Sequence, residues 1–249
     1  MKPALLQVRG LSKHFGGIVA VENVDLDLQQ GMITALAGPN GAGKTTLFNL
    51  ITGNLAADSG TVELEGRPVT GLAPHRIAQL GIARSFQDLR LFSRMSVRDN
   101  VLTAIEPAPW FWQPGGLAGA RKRKQIVAEA LERTGLADRA EARAVDLSYA
   151  ETKFLSLARI LATGSRIWLL DEPASGLDPS SRQRFITLLR DALQSGVTIC
   201  LIEHNLDIMI ELADRIAFLH QGRKLAEGEP DVILRDPELI AIYFGEPRG

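Results

Sequence analysis

A single cysteine stands among 249 residues, which rules out an internal disulfide and any zinc site built on paired thiolates. The four histidines, at positions 14, 75, 204 and 220, are scattered and suggest no metal cluster. No apolar run approaches the roughly 18–20 residues that cross a bilayer, and the start MKPALLQVRGLSKHFGG has no apolar stretch long enough for a signal peptide. Net charge is equally scarce. The 28 Lys+Arg against 29 Asp+Glu leave −1 at pH 7, so no global field draws in nucleic acid. Repeats and low-complexity tails are also missing. These absences point to a cytosolic chain that meets a membrane only through a partner.

What is present is apolar material for a core, 45% of all residues, at a length near the upper end for one domain. One large α/β domain, or a core carrying a smaller insertion, is expected. The first third alternates strand-like runs, LLQVRGL and VAVENVDLDL, before a turn at Gly31 into ITALAG. A strand that apolar followed by a glycine-rich turn reads as a buried parallel strand. TTLFNLITG reads as a helix with Gly53 past its end, and TVELEGRPV returns to alternation. Residues 88–164 carry helical periodicity in RDNVLTAI, RKRKQIVAEALERTGL and ETKFLSLARILATG, broken by the Pro/Gly-rich EPAPWFWQPGG. This predicts a helical subdomain inserted into a core made of residues 1–87 and 165–249. RIWLLDEP and VTICLIEH read as short strands separated by a helix, and ADRIAFLHQGRKLAEG as a hairpin turning at Gln221-Gly222, with a short helix after Pro237. Strands alternating with helices imply a parallel sheet whose chemistry lies at the strands' carboxyl ends.

Gly38-Pro39-Asn40-Gly41-Ala42-Gly43-Lys44-Thr45 fits G-x-x-x-x-G-K-[ST] between a strand and a helix, where that motif needs to lie. Its glycines let successive N–H groups face a phosphate, and the helix start adds about half a positive charge. Lys44 would reach the β- and γ-phosphates, and Thr45 would offer a hydroxyl to Mg²⁺. The alternative is a glycine-rich turn with an incidental lysine. The strand Ile167-Trp168-Leu169-Leu170 ends in Asp171-Glu172. Two carboxylates there allow a division of labour, with Asp171 holding Mg²⁺ through water and Glu172 taking a proton from attacking water. His204 closes the run CLIEH at a later strand end, where a γ-phosphate contact or a plain polar terminus would both fit; Gln87 means little alone. Ser148 and Glu151 match S-x-x-E, which serves equally as a capping box or as a capped anion site.

Taken together, in order, these pieces resemble an ATP-binding cassette ATPase over essentially the whole chain. The matching stretches are Phe15 ahead of the phosphate loop, GPNGAGKTT through Thr46 as Walker A, Gln87 as the Q-loop, LSYAE as the signature, LLDE as Walker B, Ser175-Gly176-Leu177-Asp178 as the D-loop, and His204 as the switch histidine. The resemblance implies a P-loop NTPase (RecA-like) core with an antiparallel β subdomain near the N-terminus and a helical subdomain. It implies that ATP and Mg²⁺ are bound, that Phe15 stacks on adenine, that Gln87 links the metal site to the helical subdomain, and that His204 holds the γ-phosphate. GPNGAGKTTLFNLITG, LGIARSFQDLRLFSRMSVRDNVL, LIEHNLDIM, ADRIAFLHQG and DPELIAIYFGE are similar to the LivG-like branch, the ATPase subunits of branched-chain amino-acid importers. Urea, amide and lipopolysaccharide transport ATPases are similar too. In that family two ATPase subunits clamp two ATP molecules head to tail, each phosphate loop against the other's signature, so Ser148 and Asp178 are expected at the partner's nucleotide. The ATPases drive membrane permeases from the inner face of the cell membrane, with a binding protein delivering substrate from outside.

The chain departs from the family's signature, which has two glycines and a glutamine where Tyr149, Ala150 and Glu151 stand, and a basic residue where Phe154 stands. Ala150 adds a Cβ and Glu151 a negative charge near an anionic phosphate, which predicts that the site completed by this signature is weaker. Arg121-Lys122-Arg123-Lys124 reads as a solvated helix start or a contact for anionic lipid or a partner. Trp110-Phe111-Trp112 reads as helical-subdomain core or as a permease or bilayer edge. Two other classes fit less well. A soluble cassette ATPase acting on ribosomes or DNA usually has two cassettes or long basic insertions. A small-molecule P-loop kinase leaves LSYAE, the D-loop and His204 unexplained.

Overall fold

The structure, a computed structural model, describes residues 4–85, 91–105 and 116–244, without the side chains of residues 116–118 and 244. The chain forms two compact units. The first comprises Met1–Arg84, Arg166–Pro173 and Ala192–Gly249, and the second Ser85–Ser165 with Ala174–Asp191.

The first unit contains two sheets. β1 (Ala4–Phe15), β2 (Ile18–Gln29), β4 (Ser59–Leu64) and β5 (Arg67–Pro68) form an antiparallel sheet in the order β2-β1-β4-β5. The other has the order β10-β9-β3-β8-β7-β6, from β3 (Ile33–Ala37), β6 (Ile82–Arg84), β7 (Ile167–Asp171), β8 (Thr198–Ile202), β9 (Arg215–His220) and β10 (Arg223–Gly228). Its strands pair in parallel from β6 to β9, and β10 returns antiparallel through the hairpin at Gln221-Gly222. Every residue of β3, β7 and β8 is buried, as expected of central parallel strands covered on both faces. Each Leu or Ile so buried contributes roughly 1.5–3 kcal/mol. The parallel α/β core is the one that the alternation of strands and helices predicts, and the antiparallel sheet is the subdomain that the family resemblance implies.

Helices α1 (Lys44–Ile51), α2 (Pro74–Gln79), α7 (Leu206–Leu212), α8 (Pro230–Ile233) and α9 (Pro237–Phe244) complete this unit. Of α1, Leu47, Phe48, Leu50 and Ile51 are buried, and all four join Leu36 of β3 and Ile202 of β8 in one core cluster. Four short elements, α2, β6, α7 and α8, are new relative to the sequence patterns, because each is too short for a period to emerge.

The second unit is helical: α3 (Val97–Ile105), α4 (Gly116–Arg133), α5 (Tyr149–Ala162) and α6 (Pro179–Gln194) as far as Asp191. On α5, Phe154, Leu157 and Ala158 are buried. Phe154 packs tilted against Phe185 of α6 at 6.1 Å, and the Arg184 guanidinium lies 4.3 Å over its ring while donating to the Thr134 carbonyl. Trp110-Phe111-Trp112 lies outside the described residues.

Candidate functional site

The site of the first unit is assembled at the carboxyl ends of β3, β7 and β8. β3 leads into the loop of residues 38–43, and two glycines there are dictated by geometry. Gly38 has φ +134 and a Cβ on it would strike the Leu219 carbonyl; Gly43 has φ +100 and its Cβ would strike the Ala20 carbonyl. Gly43 then serves as the N-cap of α1, with no side-chain cap and no acidic residue in the first turn. The amide donors of that turn have no intrahelical partners and aim at whatever the loop encloses, which is the arrangement that binds phosphate. Pro39, Asn40, Gly41 and Ala42 form the cradle, closed by hydrogen bonds from the Ala42 N–H to the Pro39 carbonyl at 3.2 Å and from the Gly222 N–H to the Ala42 carbonyl at 3.1 Å. Thr46 follows in the first turn of α1.

Lys44 is buried, and its Nζ donates to the Gly38 and Pro39 carbonyls at 2.7 and 2.9 Å. Burial lowers the ionisation of its ammonium group below the ordinary lysine range, while Glu172 and Asp171 oppose that shift. Thr45 Oγ1 donates to Asp171 Oδ2 at 3.3 Å. Burial pushes the Asp171 carboxyl up and Glu172 adds to this, while Arg84 and Thr45 pull it down. The Thr45 hydroxyl and the Asp171 carboxylate are hard oxygen donors. Two of them side by side fit Mg²⁺, which keeps several waters and takes its other ligands from phosphate rather than from a full protein cage. Among the described residues no three His, Cys, Asp or Glu side chains cluster as such a cage.

One residue on this side of the site has no signal in the motifs. Arg84, at the end of β6, places Nη2 3.5 Å from Asp171 Oδ2, with both side chains buried, and donates from Nη1 to Asn49 Oδ1 at 2.6 Å. β6 pairs with β7, Arg84 opposite Leu169. A buried cation is thus held beside the Asp171 carboxylate by a three-residue strand that only tertiary pairing defines. The neighbouring Gln87 lies outside the described residues.

Glu172 sits just past β7 with φ +47, a left-handed conformation that costs a non-glycine residue roughly 1–2 kcal/mol. It is held there by its N–H, which donates to the Ile202 carbonyl at 3.0 Å, and by its Oε1, 2.9 Å from His204 Nε2. His204 follows β8, so adjacent parallel strands deliver the two side chains to one place. Phe15 ends β1, half exposed, with Lys13 Nζ 5.7 Å from its ring. Its strand partner Ile18 lies two residues before Ala20, whose carbonyl abuts Gly43. That puts the β1–β2 hairpin beside the phosphate loop.

Ser148 and Asp178 belong to the second unit. Ser148 caps α5 in a complete capping box: its Oγ accepts from the Glu151 N–H at 3.3 Å and its N–H donates to Glu151 Oε2 at 2.7 Å. The capping half of the two readings of S-x-x-E is therefore realised. Glu151 Oε1 also lies 3.4 Å from Arg139 Nε. The Ser148 N–H chiefly, with help from Arg139 and Arg184, holds the Glu151 carboxyl below the ordinary range. Tyr149 packs on Gly176 and donates to the Ser175 carbonyl at 3.2 Å, joining the signature to the D-loop. Asp178 Oδ1 accepts from Ser180 Oγ at 2.6 Å and from the Ser180 and Ser181 N–H groups, which keeps its carboxyl far below the usual range.

A parallel α/β core with a phosphate loop, an apposed Thr–Asp pair and a Glu–His pair at its strand ends defines a P-loop nucleoside-triphosphatase. Residues 21–175 match the ABC transporter family. The high-affinity branched-chain amino acid transport ATP-binding protein LivG of Salmonella typhimurium is 39% identical, covering 99% of this chain and 100% of its own. The corresponding BraF of Pseudomonas aeruginosa is 36% identical, again over 99% and 100%. A crystal structure of the ADP conformation of an ATP-binding cassette of an ABC transporter superposes with a TM-score of 0.87 at 29% identity, over 98% of this chain and 100% of that one. The chain belongs to the ABC transporter family, as an ATP-binding and ATP-hydrolysing cassette.

Proposed function

We propose that the chain is the ATPase subunit that powers import of branched-chain or related amino acids across the bacterial inner membrane. The observation that carries this reading is end-to-end similarity to LivG and BraF, with the loop, carboxylates and histidine all present in one unit. No helix among the described residues is long and apolar enough to cross a membrane, so transport calls for permease subunits on which this chain would sit at the inner face. A binding protein outside would deliver substrate, and nucleic acid has no part.

In this reading the amides of residues 38–46 and Lys44 hold the phosphates, Thr45, Asp171 and Gln87 hold Mg²⁺, and Phe15 stacks on adenine. Mg²⁺ neutralises charge on the β- and γ-phosphate oxygens when bound. Glu172 accepts the proton of the attacking water, and His204, hydrogen-bonded to it, orients that carboxylate and contacts the γ-phosphate. Residues 1–87 and 165–249 act as the nucleotide-binding core, with the segment 88–164 as helical subdomain. A second ATPase subunit is needed, since Ser148 and Asp178 would serve its nucleotide. The LSYAE signature is the weaker of the two, and a different partner supplies the stronger one. Deletion of the gene should abolish high-affinity uptake of labelled leucine, restored by the wild-type chain but not by Glu172→Gln. Undiminished leucine uptake in the deletion strain would sink the amino-acid assignment.

A further inference from the structure

The loop that carries His204 is gripped from behind by the C-terminal helix. Tyr243 of α9 donates its hydroxyl to the His204 carbonyl oxygen at 2.7 Å. On the other side of that peptide, Asn205 Oδ1 caps α7 by accepting the Ile208 N–H at 3.2 Å. The His204 N–H leans on the Glu203 carboxylate at 3.3 Å. The backbone of His204 is therefore fixed at its N–H, at its carbonyl and through the cap that follows, while its Nε2 lies 2.9 Å from Glu172 Oε1. Of these restraints only the carbonyl contact comes from a distant segment, 39 residues along the chain.

The hydroxyl is placed by packing. The Tyr243 ring stands tilted against Phe218 of β9 at 6.2 Å and lines a shallow apolar recess with Ala37, Leu206, Phe218, Leu239 and Ile240. Ala37 is the last residue of β3 before the phosphate loop, so one recess touches the strand feeding the loop, the helix after the histidine, and α9. Burial, with the Glu203 charge adding to it, pushes the phenol's ionisation above its ordinary range.

We propose that Tyr243 is a positioning residue for hydrolysis: its hydroxyl, held by α9, sets the orientation of the His204 peptide and through it the pairing of the imidazole with Glu172. This rests on the proposed role of His204 at the γ-phosphate. A side chain that only tied down a helix would affect stability and nothing else.

Tyr243→Phe in the full-length chain keeps the ring and its packing and removes only the hydroxyl. The expected result is a fall in kcat for ATP of about fivefold, the scale of one neutral hydrogen bond, with KM for ATP within about twofold by the same argument that binding is untouched. The His204 imidazole resonances should shift with it. In a His204→Ala background, Tyr243→Phe should cost nothing further. An unchanged kcat with unmoved imidazole resonances overturns the proposal, as does an equal loss in the His204→Ala background. If His204→Ala alone turns over normally, the γ-phosphate assignment fails instead. The imidazole spectrum of Tyr243→Phe then still decides whether Tyr243 positions the ring.

Discussion

Glu172 Oε1 and His204 Nε2 stand 2.9 Å apart because β7 and β8 are parallel neighbours in register, with Asp171 opposite Ile202. Each side chain sits one or two residues beyond that last pair, so the sheet brings together groups 32 residues apart in the chain. The strained φ of Glu172 turns its carboxylate toward the histidine instead of continuing the strand, and such strain is retained where the surroundings over-determine it.

Glu172→Gln therefore removes the proposed proton acceptor but leaves size, shape and a hydrogen-bonding partner for His204. ATP hydrolysis should fall by about 10²–10⁴-fold, the usual contribution of a general base, with ATP still bound. The variant should accumulate with ATP as a dimer or heterodimer on size-exclusion chromatography. Normal turnover would remove Glu172 from the role of base.

Lys44→Ala acts at the other end of the reaction. Its ammonium bridges the Gly38 and Pro39 carbonyls and is the charged group at the heart of the loop. ATP affinity, measured by fluorescent-nucleotide displacement, should weaken at least about tenfold, as a charge-assisted contact implies. An unchanged affinity would contradict the phosphate-loop assignment.

Arg84→Ala tests the buried cation that the motifs did not signal. Removing it takes a buried cation from beside Asp171, which keeps its contacts with Thr45 and Lys44, and breaking a buried pair costs up to about 3–5 kcal/mol. Urea unfolding should show a lower midpoint with an unchanged slope, the two together giving a stability loss of that size, while Arg84→Lys, which keeps the charge, should lose less. A variant as stable as wild type would mean the pairing carries no net weight.

The residues that sequence reveals and those it hides differ by how local their causes are. The phosphate loop is legible because its glycines and lysine act through a backbone turn complete within eight positions. Asp171, Glu172 and His204 are legible as strand ends, since parallel strands bring their carboxyl ends together. Arg84 is hidden, because β6 is three residues long and exists only by pairing with β7. Tyr243 is hidden for a similar reason: nothing in a tyrosine near the chain's end says that its hydroxyl meets a carbonyl 39 residues away. At the signature, the negative charge of Glu151 looks anomalous in the sequence. Its carboxylate turns out to be engaged by the Ser148 N–H and by Arg139.

That engagement has a pH signature. The Glu151 carboxyl is held below its ordinary value near 4.5, so its contribution to stability is present above that value and lost as pH falls through the lowered one. Glu151→Gln keeps an acceptor oxygen for the cap but not the charge. The variant should melt below wild type at neutral pH, and the two should converge in acid. A gap that persists at low pH would place the effect in packing. Added to Ala150→Gly in the assembled complex, the same change should raise ATPase activity if the signature is the weaker half. An unchanged rate removes that idea.

The single cysteine supplies the last test. Cys200 is fully buried on β8, opposite Thr34 of β3 on one side and Leu169 of β7 on the other. Burial, with a smaller push from Glu227, raises its thiol far above the ordinary range, so the thiolate that alkylating agents need is scarce in the native state. Labelling by iodoacetamide must await separation of β8 from a neighbour, and those neighbours carry the phosphate loop and Asp171. Nucleotide bound only to the native arrangement should therefore suppress labelling. For Glu172→Gln with ATP at 100 times its Kd, the rate should drop about 100-fold. Rapid labelling indifferent to ATP would show that β8 opens without disturbing the nucleotide site.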